Sequence, residues 1–343
     1  MTLRRMLRTP LALVSLVALS ATLVAASVAL RDRAPWPLRP PAPVPDGRPD
    51  KLAHASSLAC AECHAAQVEE WAGTTHALAW ENEPYQEDLE GRKKAESCHG
   101  CHAPVALHGA EDALLAGKPE ARKDARHLGV SCESCHLATD GALLGPTGVA
   151  TDKHATRKGA SFSGSGSNAL CASCHRTTVG PVIGLARDFE QSKAAEEGAT
   201  CVSCHMAPRA EVSHDGGTRV VRSHALQTPR DPAFLALGFE LELALDPLGA
   251  RLRVRNRAGH RIPGLIGREI ELVATALDAS GAVLGAETLA LTTESYLPVD
   301  EDAVLALPAR TARVRVLGRH HDPRLAKPVT FLERELEPGR EQR

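Results

Sequence analysis

Ten cysteines are spread over this chain of 343 residues, and each belongs to a Cys-x-x-Cys-His motif. The five motifs are Cys60-Ala-Glu-Cys63-His64, Cys98-His-Gly-Cys101-His102, Cys132-Glu-Ser-Cys135-His136, Cys171-Ala-Ser-Cys174-His175 and Cys201-Val-Ser-Cys204-His205. Two thiols at this spacing can add across the two vinyl groups of a porphyrin, and the adjoining histidine is thereby carried beneath the iron as its proximal ligand. The pattern is the attachment signature of c-type haem. Disulfides and zinc knuckles also use paired cysteines, but neither requires a histidine directly after the second one. The expected cofactor is therefore heme c, five per chain and covalently attached, with His64, His102, His136, His175 and His205 as proximal ligands.

The sixth positions must be filled from elsewhere. Of the three methionines, Met1 and Met6 lie at the signal end and Met206 follows a proximal histidine too closely to reach over its own haem. Bis-histidine ligation, with lower potentials than His/Met ligation, is the expectation. Eleven histidines lie outside the proximal positions: His54, His76, His99, His108, His127, His154, His214, His224, His260, His320 and His321. Several of these are expected to be ligands. The tandem His320-His321, at a strand end far from any motif, reads as solvated. His260 lies in a Gly-His-x-x-Pro-Gly loop between two strands, a place from which a side chain can be aimed at a neighbouring domain. It is expected to cap a haem; failing that, His108 or His127 would serve.

Covalent attachment by this motif requires export, and the N-terminus carries an export signal. Arg4, Arg5 and Arg8 precede an apolar run from Leu11 to Leu30. At about 20 residues the run is long enough to span a bilayer, which favours an uncleaved anchor over a cleaved signal. The flanking arginines put the N-terminus inside, so the rest of the chain is expected on the periplasmic side of the bacterial inner membrane, or free in the periplasm if the signal is cleaved. The division expected is an anchor over 1–31, a proline-rich linker over 32–51, a pentahaem domain over 52–230 and a β domain over 235–343.

The haem domain reads as mainly α and irregular, with helices over 65–72 and 186–197. Aromatic residues make up 3% of the chain, too few for an ordinary core, so porphyrin rings are expected to supply the missing apolar volume. Past Pro232 the pattern becomes one of alternation: Phe239, Leu241, Leu243 and Leu245 against Glu240, Glu242 and Ala244, then Leu252 and Val254 against Arg251, Arg253 and Arg255. These are half-buried strands. Further strands are expected over 268–277, 283–292, 303–307, 311–317 and 329–336, making an all-β, immunoglobulin-like sandwich.

The run from Cys60 through Trp71-Ala-Gly-Thr-Thr-His76, followed by the second motif, by Gly129-Val-Ser-Cys132-Glu-Ser-Cys135-His136 and by a later His154, resembles the tetrahaem cytochrome c of bacterial ammonia oxidation and its multihaem relatives. The resemblance covers about residues 58–176. It implies that His76 and His154 are distal ligands, that haems stack in close pairs and pass electrons, and that the haem on Cys98 and Cys101 lacks a distal protein ligand. The fifth motif and the β domain depart from that protein. The segments around His224 and from Asn256 to Gly264 look like larger multihaem cytochromes in which such a domain follows the haem region, and His224 and His260 join the expected ligands.

The function expected is electron transfer between a membrane donor and a periplasmic or extracellular acceptor, with the iron chemistry belonging to the cofactor. The alternative is a reductase of a small oxidised nitrogen or sulfur species at one open haem. No motif has lysine in place of the proximal histidine. The formal charge of −2 gives no electrostatic direction, and no nucleic-acid partner is expected.

Overall fold

In the computed structural model, residues 55–149, 151–178, 184–212, 216–246, 249–265 and 267–339 are described. The expected anchor and linker lie outside them. No helix of the described residues is long and apolar enough to cross a membrane.

Alternation builds the C-terminal part. Seven strands follow one another there: β5 (Phe239–Asp246), β6 (Gly249–Asn256), β7 (Glu269–Leu277), β8 (Val283–Leu291), β9 (Asp302–Leu307), β10 (Arg313–His321) and β11 (Val329–Leu336). They form a three-stranded sheet in the order β5-β6-β9 and a four-stranded sheet in the order β11-β10-β7-β8, both antiparallel throughout. Because side chains alternate between faces, Leu241, Leu243, Leu252 and Val254 of one sheet meet Ile270, Leu272, Ala274, Val314 and Val316 of the other in a single buried cluster. Each leucine so buried contributes about 1.5–3 kcal/mol. Leu245 keeps the phase but not the burial: it is 54% exposed, at the turn end of β5 beyond the reach of the facing sheet.

The tandem histidines also depart from expectation. His320 is buried at 1% exposure, not solvated, because β10 runs on past the expected end at 317 and its inward positions continue through Val314, Val316 and His320.

The preceding region consists of short helices and two strand pairs. Its helices are α1 (Ala55–Ala72), α2 (Glu83–Leu89), α3 (Glu96–His102), α4 (Cys132–His136), α5 (Gly166–His175), α6 (Leu185–Glu190), α7 (Lys193–Glu196), α8 (Cys201–His205) and α9 (Pro232–Ala236), among the described residues. β1 (Leu143–Gly145) pairs with β2 (Thr156–Lys158) in parallel, and β3 (Pro208–Val212) with β4 (Thr218–Arg222) antiparallel. The helix expected over 186–197 divides in two. Ser192 ends the first half and caps the second by accepting the Ala195 N–H, the competition with helix interior that serine offers. Trp71, Ala72 and Ala77 form a small buried cluster in this region.

Candidate haem-binding site

Four of the motifs end a short helix and the first runs up to a kink inside α1, so the two cysteines of each, three residues apart, project from one helical face with the histidine beside them. In the first, the backbone kinks at the ligand itself: His64 has φ −117° and ψ 39° within α1. The last is started by a reciprocal cap, the Thr200 hydroxyl accepting the Ser203 N–H while the Ser203 hydroxyl accepts the Thr200 N–H. Such a box lets five residues hold a helical turn on their own. None of the ten cysteines is paired in a disulfide.

Three of the five motif histidines face a histidine from outside the motifs. The ring centroids are 6.1 Å apart for His175 and His76, 6.1 Å for His136 and His224, and 6.3 Å for His205 and His260. Bonds of about 2 Å from a metal to each of two imidazole nitrogens, with each ring centre about 1 Å further out, set centroids about 6 Å apart. The hydrogen bonds fix the remaining variable. Nδ1 of His102, His136 and His205 donates to the carbonyls of Ala79, Leu144 and Gln227 at 2.7, 2.7 and 2.6 Å. Nδ1 of His224 and His260 donates to Arg222 and Arg261 at 3.1 and 2.9 Å. A proton held on Nδ1 leaves the Nε2 lone pair for iron, the usual second layer of a metal-binding histidine. Burial keeps the rings neutral, pushing His76, His205 and His224 down to about 4 and lowering His136, His175 and His260.

The supports of these histidines come from distant segments. Trp71 on α1 donates its indole N–H to the Val130 carbonyl at 2.8 Å, and Val130 N–H bonds the His76 carbonyl at 2.9 Å. Gly129 must be glycine for that approach: its φ is +59°, and a Cβ would lie 2.3 Å from the His76 oxygen. Glu70, on the same helix as the first motif, accepts the His224 N–H at 2.7 Å.

His260 is presented by the β region. Arg261 forms a fork onto Asp188 of α6, with Nε and Nη2 at 2.5 and 2.7 Å from the carboxylate, and its guanidinium also lies 4.5 Å from the Tyr296 ring centre. Lys193 N–H donates to Asp300 at 2.8 Å. The loop thereby reaches across to the fifth motif and buries His260 against His205.

The other expected sites are arranged differently. His64 is exposed. His154 lies between β1 and β2 with Nδ1 buried and unpaired, and makes no ring pair of this kind among the described residues. His108 is wholly buried and neither of its nitrogens makes a hydrogen bond of ordinary geometry; Phe162 stacks between it and His136. His102 has instead a tyrosine against its ring: Tyr85 lies parallel at 3.6 Å and 7°, with Trp80 edge-on to Tyr85 and Arg126 over Trp80. Sequence reasoning passed over Tyr85, whose one signal was its place in a region almost without aromatics.

Contacts between thiols show which motifs are neighbours. Cys60 lies beside Cys132, Cys101 beside Cys174, and Cys171 beside Cys201; Cys135 also lies close enough to act electrostatically on Cys171 and Cys174. The first motif therefore adjoins the third, the third the fourth, and the fourth both the second and the fifth. Paired neutral imidazoles and thiols beside each motif histidine both fit haem.

A family profile described as "Cytochrome c554 and c-prime" matches residues 59–137 and 147–206, a span that takes in all five motifs. Among solved structures, a penta-heme cytochrome c552 from Thermochromatium tepidum is similar over 84% of this chain and 99% of that one, with a TM-score of 0.57 and 20% sequence identity; at that identity the likeness is one of fold. No curated protein sequence matches. These likenesses support a multihaem cytochrome c family for the chain.

Proposed function

We propose that the chain is a pentahaem cytochrome, exported and held on the periplasmic side of the bacterial inner membrane by its N-terminal run, that relays electrons from a membrane donor to a periplasmic or extracellular acceptor. The observation that carries this is the set of three histidine pairs at iron-bridging separation. An iron with imidazole on both faces has no position for substrate, so such a centre exchanges electrons and nothing else. The haem supplies the redox couple; the chain fixes its axial ligands, excludes water by burial and sets the order of neighbours. That order runs from the first motif through the third to the fourth, with the second and fifth as branches. His76, His224 and His260 serve as distal ligands, and His154 is left for the first motif.

The β region is read as an immunoglobulin-like sandwich, supported by its division into β5-β6-β9 and β11-β10-β7-β8 over one shared core.

A second reading has one observation in its favour. Among the described residues no histidine ring faces His102, and the nearby Tyr85 hydroxyl is buried without a partner, as a reductase site for a small nitrogen or sulfur oxide would allow. Iron analysis with electron paramagnetic resonance of the exported, oxidised protein tests both. Five irons per chain with predominantly low-spin signals support the relay. Fewer than five irons, or mostly high-spin centres, overturn it, and a single high-spin centre that shifts with nitrite assigns the reductase role.

A further inference from the structure

The β region meets the haem region at one end, where β5, β7, β9 and β11 begin and β6 and β10 finish. His260 and Arg261 project from this end, and a second group of polar side chains is buried there. Arg268 Nη1 donates to Asp322 Oδ1 at 2.8 Å, and Arg324 donates to both oxygens of the same carboxylate, Nε at 2.9 Å and Nη2 at 2.6 Å. Arg230 points its Nε at the Asp322 carboxylate from 3.6 Å, too far for a hydrogen bond. The Asp322 side chain is wholly buried, and those of Arg230, Arg268 and Arg324 are 18%, 12% and 16% exposed.

The charges do not balance. Three guanidinium groups, which stay protonated in proteins, face a single carboxylate. Of the other acids nearby, Asp231 is occupied in capping α9 through the Ala233 and Phe234 N–H groups. Glu269 pairs in register with His321, on the opposite face from Arg268 and Asp322. Two groups also lack a hydrogen bond: Arg230 Nε, and both ring nitrogens of His320. His320 is two residues before Asp322 on the same side of β10, and it feels Asp322, Arg268 and Arg324 electrostatically. Burial, and after it the neighbouring Arg324, pushes Arg268 down to about 10.

We infer that Arg230, Arg268, Arg324 and His320 form a binding site for an oxyanion of the carboxylate or sulfate type. Guanidinium forks suit such groups. Two sources have this chemistry: a propionate of the haem between His205 and His260, or a free anion. Chain connectivity supports the first. Arg230 is three residues beyond Gln227, which holds His205, and Arg268 closes the loop that carries His260. Only the propionate source rests on the proposed fifth haem.

The test uses the haem-loaded full chain and Arg230→Gln, chosen because Arg230 makes no hydrogen bond to Asp322. Redox titration across pH reads the propionate; thermal unfolding with added acetate or sulfate, against chloride at equal ionic strength, reads a free anion. If a propionate occupies the site, Arg230→Gln lowers the potential of one haem and changes its pH dependence, Arg230→Lys restores most of both, and acetate and sulfate have no effect. If a free anion occupies it, acetate or sulfate raises the melting temperature of the wild type, and Arg230→Gln abolishes the rise with potentials unchanged. Identical potentials together with no anion response overturn the site and leave a structural cluster. A normal spin count in His260→Ala would remove the fifth-haem assignment, while the anion arm would still decide the site.

Discussion

Strands β5 to β11 enclose one continuous apolar core, whereas in the longer haem region the buried apolar side chains among the described residues are scattered, with Trp71, Ala72 and Ala77 forming a small cluster. The contrast shows where each region gets its stability. A sheet face that alternates correctly can bury enough apolar area by itself. Helices of four to ten residues, as all but α1 are among the described residues, fall below the length at which helices persist alone and must be held by something larger, and porphyrin rings with covalent thioether links are that support.

The strongest way to break this contrast is to withhold the cofactor. In a chain made without haem attachment, limited proteolysis should destroy residues 55–230 and leave a protected fragment beginning near 235. Equal protection of both regions would show that the haem region has a core of its own. A smaller blow, confined to one side, is Leu272→Ala. Leu272 is fully buried, and its truncation should lower the stability of the β region by about 2–5 kcal/mol, with the number and spin state of the haems unchanged. Loss of haem from that variant would mean that the regions unfold as one.

Axial ligands sharpen the comparison without disturbing either fold. His224→Ala and His76→Ala should each produce one new high-spin ferric centre with all haems retained, since thioether links do not depend on the distal ligand. His260→Ala should do the same although its residue belongs to the other region. An unchanged spectrum for His260→Ala, beside changed spectra for the first two, would confine the redox centres to the haem region.

Which parts were legible follows from which forces are local. Strand β7, expected over 268–277 and found at Glu269–Leu277, was readable because a half-buried strand writes its two faces into successive residues. The five motifs were readable because each is contained in five successive residues. His260 stood out through the glycines and proline that shape its loop. The pairing of His224 with His136 was not readable from spacing, because Glu70, Arg222 and the third motif meet only through the tertiary fold. His320 was misread for a different reason: two adjacent histidines look solvated by type, yet alternation from Val314 and Val316 already placed one of them inward.

The weakest link between the regions is ionic, and pH should loosen it. Burial alone would raise the Asp188 carboxyl, but hydrogen bonds and charge from Arg261 outweigh it and hold the group below its ordinary value. A carboxylate with a folded pKa below its unfolded pKa contributes stability that is complete above about pH 4 and is lost as pH falls through the folded value. Arg261 stays charged throughout. The fork is mostly buried, so its loss should cost on the order of 1–3 kcal/mol. Asp188→Asn should therefore show, at pH 7, the increased protease sensitivity of the 257–264 loop that the wild type shows only below about pH 4, and the two proteins should converge in acid. If the wild type loses loop protection at neutral pH as readily as Asp188→Asn, the fork does not hold the β region in place, and burial of His260 against His205 must do so alone.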